Sequence, residues 1–132
     1  MTEHAIYSSP LGAFHLTCEN GVITALRPVR ADDPQPTPGS TLTALLFHQL
    51  DEYFSGARTT FDLPCRLRGT PFQNAVWNVL REIPYGQTRS YKDIACAIGS
   101  PNASRAVGAA CAQNPIFLII PCHRVLGANG CL

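Results

Sequence analysis

The sequence predicts an α+β fold, a small N-terminal antiparallel sheet with one helix followed by a mainly helical second half. Residues 4–27 alternate apolar and polar side chains around an Asn-Gly turn, and from Thr70 to Gln113 the apolar positions follow helical spacing behind capping residues. Charge divides the chain in the same way. Residues 1–65 carry Arg27, Arg30 and Arg58 against seven acids, whereas residues 66–132 carry six arginines and Lys92 against Glu82 and Asp93. The formal charge of +1 therefore hides an acidic half and a basic one. Arginine concentrated in one half is the footprint of a phosphate-binding face; by charge alone, ordinary solvated surface fits equally well.

The elements follow in order. Phe14, Leu16 and Cys18 alternate with His15, Thr17 and Glu19, the period of a half-buried strand. Asn20-Gly21 then leads into residues 22–26, and such a pair between two runs signals a hairpin, because both central residues of a type I′ turn need positive φ. With the turn Ser9-Pro10-Leu11-Gly12 before it, residues 4–27 read as a three-stranded meander. Pro28, Pro34, Pro36, Pro38 and Gly39 make residues 28–39 a surface loop. Leu42, Leu45, Leu46, Leu50 and Tyr53 form a helix behind a Ser40/Thr41 cap that Gly56 stops, and residues 61–64 are a short extended link. A domain boundary is predicted between residues 66 and 67.

In the second half, Thr70-Pro71-Phe72-Gln73 combines an N-cap, an N1 proline and an N3 glutamine, predicting a helix over residues 72–83 that Pro84-Tyr85-Gly86 ends. Ser90 with Asp93 caps a second helix, residues 91–98. Residues 99–102 form a tight turn, and residues 103–113 a third helix closed by Asn114-Pro115. Two short helices around a glycine-containing turn suggest a winged helix-turn-helix-like domain. The third helix is unusual, because after Arg105 nearly every side chain is small. A helix that reads major-groove edges projects long polar side chains. This one can bring its backbone close to a partner such as the minor groove, or pack tightly on another helix; Gly108, costly in a helix, favours the former.

The apolar content of 45% excludes a disordered tail, and no run approaches the ~18 residues of a membrane span. The start Met-Thr-Glu-His lacks a secretory pattern, which predicts a cytoplasmic protein. In that compartment six cysteines without a C-x-x-C pair do not suggest a disulfide framework. Residues 117–120 read as a buried strand running into Pro121-Cys122-His123-Arg124-Val125. A cysteine held by a proline and followed by His and Arg has the ingredients of an activated thiol, His123 taking its proton directly or through water. The bland alternative is a small buried hydrophobe. Zinc fits poorly, because adjacent Cys-His lacks ligand spacing and no second pair exists.

Pro121-Cys-His-Arg-Val125, preceded by Ser90-Tyr91, Arg105-Ala-Val-Gly108 and Asn114-Pro115, resembles the O6-alkylguanine-DNA alkyltransferases, the methylated-DNA–protein-cysteine methyltransferases. The motifs occur in order between Thr70 and Gly130; over residues 1–65 the resemblance rests on the Ser9–Gly12 turn, the meander and Tyr53-Phe54. It implies a ribonuclease H-like domain over residues 1–66 and a DNA-binding alkyltransferase domain over residues 67–132. It implies that Cys122 is the acceptor, taking the alkyl group from guanine O6 in one irreversible SN2 transfer. His123 deprotonates it through water, Tyr91 helps to rotate and bind the flipped base, and Arg105 fills the vacated stack. Asn114 braces the active-site turn and the Val125 carbonyl accepts from the guanine amino group; Phe117 departs from the family, standing where many relatives place a proline against the flipped base, a position at which an aromatic ring can stack. Ala103, Ser104, Ala109, Ala110, Gln113 and Arg124 complete the DNA face. The implied partner is double-stranded DNA carrying O6-alkylguanine, bound through its minor groove by a monomer without membrane, metal or cofactor.

The family continues past a substrate-pocket loop to a helix whose glutamate orients the histidine, and this sequence, with Asn129-Gly130 as a last hairpin turn, reads as a C-terminally shortened member. A second expectation is therefore a weak or inactive relative that binds alkylated DNA without transfer. A sequence-specific winged-helix regulator is disfavoured, because it gives Pro121-Cys-His-Arg no purpose.

Overall fold

The computed structural model describes residues 2–126, and the expected Asn129-Gly130 turn lies outside them. The chain divides into two compact units, residues 1–67 and 68–132. In the first, β1 (Thr2–Ser9), β2 (Gly12–Glu19) and β3 (Val22–Pro28) form the expected antiparallel meander in the order β1-β2-β3. Asn20 and Gly21 take φ of 51° and 82°, the left-handed conformation the hairpin turn requires. Tyr7, Phe14, Leu16, Cys18, Ile23 and Leu26 are buried. Helix α1 (Thr41–Phe54) is capped by Ser40, which accepts from the Thr43 amide. It contributes Leu46 and Leu50 to the core and lays Phe47 edge-on to Tyr7 with ring centroids 5.2 Å apart. The Tyr7 hydroxyl donates to Asp51 at 2.6 Å.

Two features of this unit were not expected. The proline-rich segment after β3 is a cover for the sheet: Thr37 donates its amide to the His4 carbonyl at 2.9 Å, and Asp33 accepts from Arg27 at 3.1 Å. β2 is consequently buried on both sides at His15, which is 1% exposed, stacks near His4 and has no hydrogen-bond partner of good geometry on either ring nitrogen. The link expected to be merely extended makes a parallel bridge at Ile23 and Cys65, with Ile23 donating to the Pro64 carbonyl and Arg66 to that of Ile23.

The second unit holds α2 (Pro71–Arg81), β4 (Arg89–Ser90), α3 (Tyr91–Ala97), α4 (Ser104–Ala112) and β5 (Val125–Leu126). Thr70 and Gln73 cap α2 reciprocally, as Ser90 and Asp93 cap α3. Helix α2 stops two residues short of the predicted end, because the amides of Glu82 and Ile83 turn back to the Val79 and Leu80 carbonyls three residues earlier. Trp77 is buried, and its indole Nε1 donates to the Ala110 carbonyl of α4 at 2.9 Å. Gly69 leaves the room this requires: a Cβ there would stand 2.6 Å from the Trp77 ring. Among the described residues no helix is long and apolar enough to cross a membrane.

The predicted strand over residues 117–120 is a correction. The segment is a tight turn, with an isolated bridge between Phe117 and Ile120 and Leu118 at φ 69°. An apolar run of strand length cannot by itself distinguish strand from buried turn. Here the Asn114 side chain decides, donating to the Ile120 carbonyl at 2.8 Å and accepting from the Ile116 amide at 3.0 Å, which folds the run back on itself.

Candidate functional site

The folded-back run delivers its C-terminus into one turn of 3-10 helix, Cys122–Arg124. The Cys122 amide donates to the Ile120 carbonyl at 2.8 Å, the carbonyl that Asn114 also holds, and the Arg124 amide donates to that of Pro121 at 3.0 Å. The position of the cysteine is thus fixed by backbone that a buried side chain, 4% exposed, clamps directly. Cys122 is half-buried, with neither the burial of an inert core thiol nor full exposure. His123 follows at the surface. Its pKa is lowered from 6.5, first by desolvation and then by the charge of Arg124, which favours the neutral ring able to accept a proton.

Cys111, one turn before Asn114 on α4, is different in kind. Its pKa is pushed up to about 11, first by burial and then by the neighbouring Cys122, so it remains a thiol at neutral pH. Val125 is fully buried and pairs with Arg89 in a two-residue parallel ladder, β4 with β5, which is the part of a wing that the described residues contain. Phe117 is half-buried in the turn before the cysteine.

Helix α4 presents Arg105, Ala106, Ala109, Ala112 and Gln113 to solvent, with Ala103 and Ser104 half-exposed at its start. Ala110, expected on the DNA face, is 2% exposed and points inward with Val107; three residues apart on a helix, the two share the face that packs towards Trp77. Ala106 and Ala112, which are not among the expected residues, lie on the same exposed side of the helix, as helical period dictates once Val107 is inside. Gly108 lies next to Tyr91: a Cβ there would stand 3.9 Å from the ring, an ordinary contact, so close approach to a ligand is not needed to explain the glycine's immediate surroundings. Tyr91, at the start of α3, is half-buried beside α4. Arg124 is turned inward and donates to the Ile83 carbonyl at 2.7 Å, its guanidinium 5.5 Å from the centre of the Tyr85 ring. No group of three or more His, Cys, Asp or Glu capable of holding a metal occurs among the described residues.

A meander with one packed helix, followed along the chain by a helix-turn-helix unit that presents a braced cysteine, defines an α+β protein whose second unit holds half-buried Cys122 on a fixed turn. The chain belongs to the 6-O-methylguanine DNA methyltransferase family: that family's ribonuclease-like domain matches residues 3–67 and its DNA-binding domain residues 71–132. It is 46% identical over 136 residues to the methylated-DNA–protein-cysteine methyltransferase of Mycobacterium tuberculosis, an alignment covering 98% of this chain and 81% of that one. The crystal structure of M. tuberculosis O6-methylguanine methyltransferase superposes with a TM-score of 0.92 at 44% identity, over 100% of this chain and 82% of that one. The M. tuberculosis protein in complex with DNA superposes with a TM-score of 0.88 at 45% identity, over 97% of this chain and 80% of that one.

Proposed function

We propose that this protein repairs alkylated DNA by direct reversal, moving the alkyl group from O6-alkylguanine to Cys122. The observation that carries the reading is the Cys122 turn itself. In a chain whose relatives carry the methyltransferase name, a half-buried cysteine sits on a turn that buried Asn114 clamps through the Ile120 carbonyl. In the transfer a sulfur–carbon bond forms as the carbon–oxygen bond at O6 breaks, and the electron pair leaves with the guanine. The thiol proton passes through water to His123, whose lowered pKa keeps it available as a base. The product is a thioether with no acyl carbon for water to attack, so each molecule acts once and needs no cofactor.

The lesion lies inside a duplex, so the base must be extruded at a cost of about a few kcal/mol. Arg105, exposed in the first turn of α4, fills the vacated space, and Tyr91 turns and holds the nucleotide. Ala103, Ser104, Ala106, Ala109, Ala112 and Gln113 let the helix backbone approach the minor groove, where long side chains would keep it away. The Val125 carbonyl accepts from the guanine amino group, and Phe117 lies against the base. The domain over residues 67–132 carries this work and the domain over residues 1–66 supports it. The protein acts as a monomer in the cytoplasm, where thiols stay reduced.

Incubation with a duplex carrying O6-methylguanine should leave the Cys122 peptide about 14 Da heavier, a hydrogen exchanged for methyl, and Cys122→Ala should abolish the gain. Lesion-preferring binding without mass gain, surviving Cys122→Ala but lost in Arg105→Ala, would replace transfer with recognition alone.

A further inference from the structure

Three residues of 3-10 helix hold themselves together poorly, so what fixes the Cys122–Arg124 turn must come from outside it. On the N-terminal side that support is Asn114. On the C-terminal side the structure provides Arg124, which reaches 41 residues back along the chain to the Ile83 carbonyl at 2.7 Å. Ile83 is 4% exposed and lies just past the end of α2, where carbonyls lack helical partners and the helix dipole favours a positive charge. The guanidinium also lies over Tyr85, in the loop that leaves α2. One planar side chain thus bonds the segment that leaves α2, lies over an aromatic ring and anchors the last residue of the cysteine turn.

We infer that Arg124 is a positioning residue: it locks the Cys122–His123 turn onto the end of α2 and so holds the sulfur in line for transfer. The inference rests on the reading of Cys122 as acceptor, and it replaces a direct DNA contact as the main work of this side chain. Its charge supports the same task, since Arg124 helps keep His123 neutral. Lysine preserves the charge and one donor but not the planar fork that bonds and stacks together, so it restores the function only in part.

The test compares wild type, Arg124→Met, Arg124→Lys and Tyr85→Ala in single-turnover transfer at saturating O6-methylguanine duplex, with duplex affinity measured separately in a Cys122→Ala background. Arg124→Met should slow transfer from the bound state by roughly 10- to 100-fold, because small misplacements of reacting groups carry penalties of that order, while affinity stays within about 2-fold. Arg124→Lys should recover part of the rate. Tyr85 is 54% exposed, so its removal leaves the fold intact and should slow transfer by less. In a further variant combining Arg124→Met with Tyr85→Ala the Tyr85 effect should vanish, because the ring acts through the guanidinium. Unchanged rate at saturation with weakened affinity would make Arg124 a DNA contact and overturn the inference. A second readout is independent of the chemistry: amide exchange at Cys122 and Arg124 should quicken about 10-fold in Arg124→Met, with α4 unaffected. Were wild type to show no transfer, the acceptor reading would fail, and exchange alone would still decide whether Arg124 anchors the turn; unaltered exchange would sink it.

Discussion

Among the described residues the first unit buries four polar side chains, His15, Thr24, Thr43 and Gln49, where the second buries one, Asn114. Those of the first unit serve its own fold. Gln49 accepts from the Asp62 amide at 3.0 Å and donates to its carbonyl, tying the link to α1; Thr43 completes the Ser40 capping box; Thr24 bonds Glu19 across the β2–β3 hairpin. Asn114 instead shapes the turn that presents Cys122. The first unit therefore uses its buried polar groups to fix its own turns and links around an apolar core, and His15 gives it a pH response. In the second, the apolar core around Trp77 carries stability, and the buried amide of Asn114 shapes the turn that carries Cys122. Substitutions should consequently separate stability from chemistry differently in the two units.

The largest effect is expected at Trp77. Trp77→Ala removes the central ring of the second unit and its bond to Ala110, at a cost of about 3–5 kcal/mol, and should unfold that unit before the first in a denaturant titration followed by amide exchange. Simultaneous loss of both units would break the comparison. Next comes Asn114→Asp, which keeps an acceptor for the Ile116 amide but replaces the donor to Ile120 with carboxylate oxygen facing a carbonyl. Stability should fall by about 1–3 kcal/mol. Single-turnover transfer should drop more than that loss accounts for even at temperatures where the variant is fully folded, because the turn, and with it the sulfur, is displaced.

The elements with strong local signals were legible in the sequence. Asn20-Gly21 specified its own turn, and Thr70 with Gln73 and Ser90 with Asp93 announced helix starts through the same backbone amides they cap in the structure. Long-range contacts were not. Nothing local to residues 28–39 says that Thr37 and Asp33 will pull the loop over His15, and nothing local to Phe117–Ile120 says that Asn114 will reach forward to bend an apolar run into a turn. The site shows the same division. Cys122 and His123 are adjacent and could be named from their own chemistry, and Asn114 from the motif resemblance. Arg124 meets Ile83 across 41 residues, and no periodicity reports that.

A smaller effect, specific to the first unit, should appear in acid. His15 has its pKa lowered from 6.5, chiefly by burial, with Arg27 and His4 adding to the shift and Asp33 and the Pro34 carbonyl opposing it. Folded His15 resists protonation while the unfolded chain accepts it. The contribution is therefore whole above about pH 6.5 and declines as pH falls from there towards the folded pKa. His15→Gln should flatten this part of the pH profile of β2 amide exchange. A slope that persists unchanged would place the titration elsewhere.

The smallest effect is at Tyr7 and runs in the opposite direction along the pH axis. Burial, together with the hydrogen bond and negative charge of Asp51, pushes its pKa from 10 up to about 12. A raised folded pKa stabilises below the unfolded value, so the contribution is complete below pH 10 and disappears as pH rises towards 12. Tyr7→Phe keeps the ring against Phe47 and Phe54 and deletes only the hydroxyl. At neutral pH it should lower stability by about 1 kcal/mol, read as a shift in urea midpoint. Between pH 10 and 12 wild type should lose that advantage and the two midpoints converge. Cys18, raised to about 11 by burial, titrates in the same unit but is common to both proteins and cancels from the difference. A gap that stays constant with pH would mean that the hydroxyl contributes through packing, and the scaffold's polar contacts would then be no more pH-sensitive than the core around Trp77.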